Sequence, residues 1–457
     1  MTPSGTREFA EDATSTLERF GIYPVEEDVF PETVEARVAT LRRARHRRGE
    51  GERVGYMTLM DTDGVLRWEL GLGPAPARRR RPQRGRAGVA ATGDVVKQFK
   101  FEDLPPNEIG ARLRQLDDWL TPHQGLREVT RKLTVGREVA PAETGRILLL
   151  VHGTFSTCEH LLREISTTEE GRRLMARAFG TYQQVLAFNH PTLSVSPLLS
   201  AAALRQHFRG NEANVDVICH SRGGLVVRWW LEVLDHVPAP RGRVVFAGPP
   251  LAGTGLAAPA RLRGALNALT NISKTLGTIS KGSALVFPAA APIGHAAGVL
   301  FGLFGKLTSI AAHTPIVDAG VAMIPGLSGQ SREGANGEIR RLRESFTTLK
   351  KDEQARRFIE NYFFLKSNFE PTSPGWKFWQ YFRKDQLSNI AADFVFEGQN
   401  DLVVDTASMA SLTDDISDDA IAATHIENFG TSDVVHHLNY FQQPRTIALI
   451  ERALRLA

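Results

Sequence analysis

Ser221 lies in the run Val215-Asp216-Val217-Ile218-Cys219-His220-Ser221-Arg222-Gly223-Gly224-Leu225-Val226-Val227-Arg228, where a short apolar stretch passes through a sharp turn into helix-forming residues. A serine at the tip of a strand-to-helix turn stands clear of its backbone. An attacking hydroxyl needs this if it is to reach an acyl carbon with a base beside it. The residues two before and two after it must be small so that strand and helix can pass closely. Gly223 meets this condition, and Cys219 is a compact departure that the turn tolerates. The same chemistry needs a carboxylate and an imidazole. Asp401, in Phe394-Val395-Phe396-Glu397-Gly398-Gln399-Asn400-Asp401, follows a predicted strand, where a carboxylate can orient an imidazole and stabilise its charged form, with Asp405 in reserve. Two adjacent histidines in Ser432-Asp433-Val434-Val435-His436-His437-Leu438-Asn439-Tyr440-Phe441 cannot both point at Ser221; His437 is the preferred base and His436 its neighbour. His190, His220 and His425 are read as structural, with the His220 side chain directed away from the serine.

His152-Gly153-Thr154-Phe155-Ser156 follows the predicted strand Ile147-Leu148-Leu149-Leu150-Val151. A loop in that place donates one backbone N–H to a developing oxyanion, and the residue after the nucleophile donates another. The donors are then Thr154, with Phe155 as the alternative, and Arg222.

The elements that must hold these residues alternate strand and helix from Gly145 onward, the pattern of an α/β fold whose mostly parallel sheet is covered on both faces. Predicted strands are residues 146–151, 184–188, 215–218, 244–247, 394–396 and 426–429, with helices including 225–234 and 446–456. The long gap between Gly248 and Asp393 predicts a helical insertion, since a structureless loop of that size does not fit a compact fold. From His236 through Val317 there is no Asp or Glu, while Arg241, Arg243, Arg261, Arg263, Lys274, Lys281 and Lys306 are cationic. Ala284 to Gly305 is uncharged and long enough for a bilayer span, but Pro288, Pro292, His295 and its glycines favour a buried or interfacial lid. Apolar and cationic residues together in that lid predict contact with anionic membrane surfaces, with a buried structural cap as the competing reading.

Residues 1–140 differ in character: a predicted helix over 31–48, a hairpin of 54–60 and 65–70 around Asp61-Thr62-Asp63-Gly64, a flexible Arg/Pro/Gly loop at 73–88, a strand over 95–101 and an amphipathic helix over 108–120. This region is the candidate surface for a protein partner. The net charge of +4 over 457 residues is too small to argue nucleic-acid binding without a motif, and none is present. Met1 to Asp12 lacks the basic and apolar regions of a secretory signal, so the expected location is cytoplasmic, with peripheral membrane contact through the lid. Two cysteines, Cys158 and Cys219, exclude a disulfide framework. Gly253-Thr254-Gly255-Leu256-Ala257-Ala258 imitates a dinucleotide fingerprint but lacks the acidic residue that should follow about 20 positions on. No HExxH or CxxC pair occurs, and neither a metal nor a nucleotide cofactor is implied.

Taken with Phe188-Asn189-His190-Pro191-Thr192 and Gly248-Pro249-Pro250-Leu251-Ala252-Gly253-Thr254, the HGTFS, HSRGGLV, Asn400-Asp401 and His437-Leu438-Asn439-Tyr440-Phe441 stretches resemble bacterial α/β-hydrolases of esterase/lipase type. They are similar in particular to an uncharacterised branch sometimes found beside caspase-like proteins. The resemblance covers about residues 145–457 and implies an α/β-hydrolase fold with a Ser-His-Asp triad. It divides the chain into an accessory region, 1–140, and a hydrolase domain, 141–457, with the insertion at about 254–390. The chemistry expected is hydrolysis of a carboxylic ester or lipid through an acyl-enzyme, as a lipase or phospholipase. A non-catalytic interaction module on the same scaffold, or a peptidase or acyltransferase using the same triad, are the alternatives.

Overall fold

Strands β7 (Arg146–Val151), β8 (Gln184–Asn189), β9 (Asn214–His220) and β10 (Val244–Ala247) are near-continuous apolar runs because each is covered on both faces. The computed structural model describes residues 4–25, 54–71, 94–102, 108–235, 241–258, 261–282, 286–308, 324–332, 336–349, 353–372, 374–382, 396, 398–413 and 421–456. With β5 (Gly125–Val129), β6 (Val135–Glu138), β11 (Tyr362–Phe369) and β12 (Ile426–Ser432) these strands form an eight-stranded sheet of order β12-β11-β10-β9-β7-β8-β5-β6. The six strands from β12 to β8 run parallel, and β5 and β6 close one edge antiparallel. This is an α/β-hydrolase architecture.

Alternation along the strands separates two cores. Ile147, Leu149, Val151, Val217 and Cys219 face helices 197–207, 223–234 and 337–349, whereas Leu148, Leu150 and Ile218 face helices 158–165, 169–181 and 444–454. Burying apolar surface on both sides, at roughly 25 cal/mol per Å², makes the sheet a stiff base for the loops at its carboxyl edge.

A third core lies elsewhere. Helix Ser4–Arg19 and an antiparallel sheet of order β1-β4-β2-β3, from β1 (Ile22–Pro24), β2 (Val54–Thr62), β3 (Val65–Gly71) and β4 (Asp94–Glu102), pack on helices Leu262–Gly282 and Ala290–Thr308. The β2–β3 turn places Asp63 at φ 53° and Gly64 at φ 87°, the two left-handed residues that a tight two-residue hairpin requires. Among the described residues the outer edge of β3 pairs with no strand. Asn267 and Asn271, one turn apart on helix 262–282, take its place: Asn267 Oδ1 accepts from Trp68 N–H, and Asn271 bonds both the N–H and the carbonyl of Leu66, at 2.7–2.8 Å. The indole of Trp68 donates to Thr270 Oγ1 at 3.0 Å.

This packing accounts for the uncharged run. Ala296, Ala297, Val299 and Leu300 are fully buried between the two layers, and among the described residues no helix is long and apolar enough to cross a membrane. Three lysines of the acid-free stretch serve the same contact: Lys281 pairs with Glu8, Lys274 donates to the Gly64 carbonyl and Lys306 to that of Phe20.

Strand β11 departs from the sequence reading, which placed residues 362–369 inside the helical insertion. Lys366, Ser367 and Asn368 interrupt its apolar pattern, yet all eight residues are buried; Asn368 Oδ1 accepts from Asn400 N–H, and the Ser367 carbonyl accepts from the Thr406 hydroxyl, which fastens the loop that carries Asp401. Helix Ser4–Arg19 and the β5–β6 hairpin were also unanticipated. The expected helix over 31–48, the loop over 73–88 and residues 394–395 lie outside the described residues.

Candidate active site

Strand β9 ends at His220, and Ser221 takes φ 53° before helix Gly223–Arg228 begins. A non-glycine residue in the left-handed region is strained, and here the strain lifts the side chain out of the turn. Ser221 N–H donates to the Ala247 carbonyl at 2.9 Å, tying the turn to β10. Gly223 is required by contact: a Cβ there would lie 2.6 Å from the Val151 carbonyl oxygen and 2.8 Å from that of His152. Cys219 fits because its side chain points into the sheet core, its Sγ 3.5 Å from the Val245 carbonyl, and burial pushes the thiol pKa well up.

Three of the six described non-glycine residues with positive φ belong to this neighbourhood: Ser221, Phe155 at 56° and Leu402 at 89°. The Asp401 loop is docked on the carboxyl end of β11. Phe369 N–H donates to the Asn400 carbonyl at 2.7 Å, and Asn400 N–H donates to Asn368 Oδ1 at 3.1 Å. A fully buried carboxylate must be bonded on both oxygens. Asp401 Oδ1 accepts the N–H groups of Val403 (3.2 Å) and Val404 (2.8 Å), and Oδ2 accepts His437 Nδ1 and the Tyr440 hydroxyl, at 2.8 and 2.9 Å.

A carboxylate only accepts, so His437 Nδ1 carries the proton and Nε2 presents its lone pair. The ring and Ser221 line the same cavity. His436 does not reach this group. It packs against Phe287, Phe369 and Trp376, and burial pulls its pKa down to about 3. Asp405 also lies apart, facing Arg332 at 3.2 Å. His220 departs from the expected orientation: its ring lines the cavity beside Ser221, packs at a tilt against the His437 ring with centroids 4.6 Å apart, and donates Nε2–H to the His437 carbonyl at 2.9 Å. Its position on the strand end directs it across the sheet edge to the base loop.

The opposite wall is the His152–Ser156 loop. A Cβ on Gly153 would come within 2.7 Å of the Ser221 Cβ, so the loop must pass close to the serine. Phe155 N–H is bound by Thr192 Oγ1 at 3.4 Å. Among the described residues the backbone N–H groups of Thr154 and Arg222 have no protein acceptor. The Thr154 hydroxyl accepts from Gln330 at 2.9 Å.

The Arg222 side chain is fully buried. It donates to His190 Nδ1 (2.8 Å), the Val195 carbonyl (2.7 Å) and Ser200 Oγ (3.2 Å), and desolvation lowers its pKa to about 10. His190 in turn donates Nε2–H to the His152 carbonyl, and its own N–H bonds His152 Nε2. Both rings are held neutral by burial, stacked 4.3 Å apart. Asp117, on helix Ile109–Leu120, completes this support: its carboxylate accepts the backbone N–H groups of Thr192, Leu193 and Ser194 and the Ser194 hydroxyl, at 2.6–3.2 Å. Sequence reasoning passed over Asp117, Gln330 and Tyr440. The visible signal for Asp117 is its place among Leu113, Leu116 and Leu120 on the apolar face of its helix.

The cavity is small, about 60 Å³, and mostly apolar, with Leu161, Leu256, Leu269, Phe287, Ile293 and Leu327 in its wall. The insertion therefore turns apolar side chains toward Ser221 and several of its cations toward the N-terminal layer. Among the described residues no cluster of His, Cys, Asp and Glu could hold a metal ion.

Residues 112–455 match the model of a family described as a domain of unknown function, DUF7379. The chain belongs to that family. Family membership begins within the helix carrying Asp117 and leaves the four-stranded sheet outside. Similar solved structures include a Bacillus licheniformis lipase, BlEst2, in its mature form (11% identity, 67% of this chain and 91% of that one, TM-score 0.32). The propeptide form of the same lipase matches at 13% identity over 72% and 53% of the two chains, with TM-score 0.33. Lipase 1 from Pelosinus fermentans matches at 13% identity over 68% and 99%, with TM-score 0.38. No curated protein matches the chain.

Proposed function

We propose that the chain is a serine hydrolase of carboxylic esters. The observation that carries this reading is the His437 Nδ1–Asp401 Oδ2 bond of 2.8 Å, on a ring that shares a cavity with a serine held at φ 53°. Ser221 Oγ attacks the ester carbonyl carbon while His437 Nε2 takes its proton. Asp401, aided by the Tyr440 hydroxyl, fixes the tautomer and stabilises the imidazolium. The Thr154 and Arg222 N–H groups receive the oxyanion. His437 then protonates the leaving alcohol, and water, activated by the same nitrogen, releases the acid from Ser221.

Size narrows the substrate. The cavity beside Ser221 is narrow and its wall mostly apolar, which favours a short apolar acyl part. Lipase or phospholipase activity on longer chains, and peripheral contact with a membrane, require the insertion to move. Steady-state kinetics on a series of p-nitrophenyl esters tests the reading. Short acyl chains should give the highest kcat/KM, and Ser221→Ala should abolish turnover while keeping the fold; a folded Ser221→Ala protein at wild-type rate contradicts it.

A further inference from the structure

Helix Cys158–Ile165 presents three residues to the cavity: His160, Leu161 and Glu164. Two of them are polar in an apolar wall. Glu164 is buried, and one of its oxygens, Oε1, accepts the Phe441 N–H at 3.1 Å. That bond ties the helix to the His437 loop and needs one acceptor only. The second oxygen, Oε2, has no hydrogen-bond partner among the described residues, although the side chain lines the space in which substrate would sit. One turn earlier, His160 lines the same space, and its buried Nδ1 is also unpartnered. A carboxyl left half-bonded in an apolar wall costs stability. A ligand group in the cavity can supply the missing bond.

We propose that Glu164 is a specificity residue that selects esters carrying a hydroxyl a few bonds from the scissile carbonyl. The inference rests on the hydrolase reading for the reaction, though not for binding. Burial raises the Glu164 pKa to about 8 and lowers that of His160 to about 4, so at neutral pH both groups are uncharged. A neutral carboxyl donates from Oε2, and a hydroxyl is the group that can accept this bond and still donate one of its own. Whether the hydroxyl belongs to the acyl part or to the alcohol part of the ester, the chemistry at Glu164 is the same.

Two pairs of esters separate these sources: ethyl β-hydroxybutyrate against ethyl butyrate, and glycerol monobutyrate against propyl butyrate. In one pair the wild type should prefer the hydroxyl-bearing member by about tenfold in kcat/KM. Glu164→Leu should bring that ratio close to one, and Glu164→Gln should keep it within about threefold. Ratios near one for the wild type in both pairs, or a ratio unchanged in Glu164→Leu, overturn the proposal. Calorimetry on Ser221→Ala with the same esters separates recognition from reaction. A binding preference lost in Ser221→Ala/Glu164→Leu supports the role of Glu164 even if the wild type turns over no ester, which would refute the hydrolase reading alone. Equal binding of both members of each pair overturns the role whatever the turnover.

Discussion

The two halves of the molecule are held together differently. In the eight-stranded sheet, backbone ladders and two apolar cores fix the carboxyl edge, and the proposed catalytic groups hang from that edge by short loops with strained or fully bonded backbones. In the N-terminal layer and insertion, segments some 200 residues apart close one core, and a strand edge is satisfied by asparagine side chains rather than by another strand. The first arrangement suits groups that must stay within a fraction of an ångström. The second suits a cover, because side-chain bonds across a layer can be exchanged without unfolding the sheet beneath.

This contrast orders the expected effects. His437→Ala should cost about a thousandfold or more in kcat on a short ester, and His436→Ala under about tenfold, since only His437 reaches Asp401. A reversed ranking would place the machinery on the wrong side of the loop. Asp117→Ala should cost about ten- to a hundredfold in kcat with little change in KM, because it loosens the 192–194 segment that binds Phe155 N–H rather than any substrate contact. Partial recovery in Asp117→Asn, which keeps an acceptor, would sharpen that assignment; an Asp117→Ala loss confined to KM would break it.

On the cover side, Asn267→Ala with Asn271→Ala should raise the ratio of decanoate to acetate ester hydrolysis severalfold and lower Tm, since three bonds to the β3 edge are lost. An unchanged ratio would mean that the layer does not limit chain length. The smallest effect is a pH-dependent one at the junction of the halves. The folded chain keeps on Glu164 a proton that the unfolded chain releases near pH 4.5, so stability falls as pH rises from there through about 8. The Tm of Glu164→Gln should therefore exceed that of the wild type by more at pH 9 than at pH 5. The difference is on the order of a few kcal/mol at most. A constant gap would mean that Glu164 is ionised throughout.

The same contrast explains what could be read from sequence. Ser221 and the His152–Ser156 loop follow the ends of the short apolar strands β9 and β7, whose period and turn chemistry are local signals, whereas the Asp401 loop docks on β11, earlier in the chain. Strand β11 escaped because its last residues turn polar to bond the Asp401 loop, so its periodicity is broken by the job it does. The run from Ala284 to Gly305 leaves an interfacial lid and a buried cap both open in the sequence, because the sheet that packs on helix Ala290–Thr308 is some 200 residues away in the chain, a distance no local pattern bridges. Glu164 and Asp117 gave only the faint signal of an acid among apolar neighbours.

Everything proposed for the site depends on Ser221 being an activated nucleophile. Labelling the intact protein with a fluorophosphonate and mapping the adduct by mass spectrometry tests it most directly. The expected result is one phosphonyl adduct, on the peptide containing Ser221, formed by the wild type and absent from folded Ser221→Ala. A folded wild type that takes no label at Ser221, or a Ser221→Ala protein that labels equally well, would contradict it.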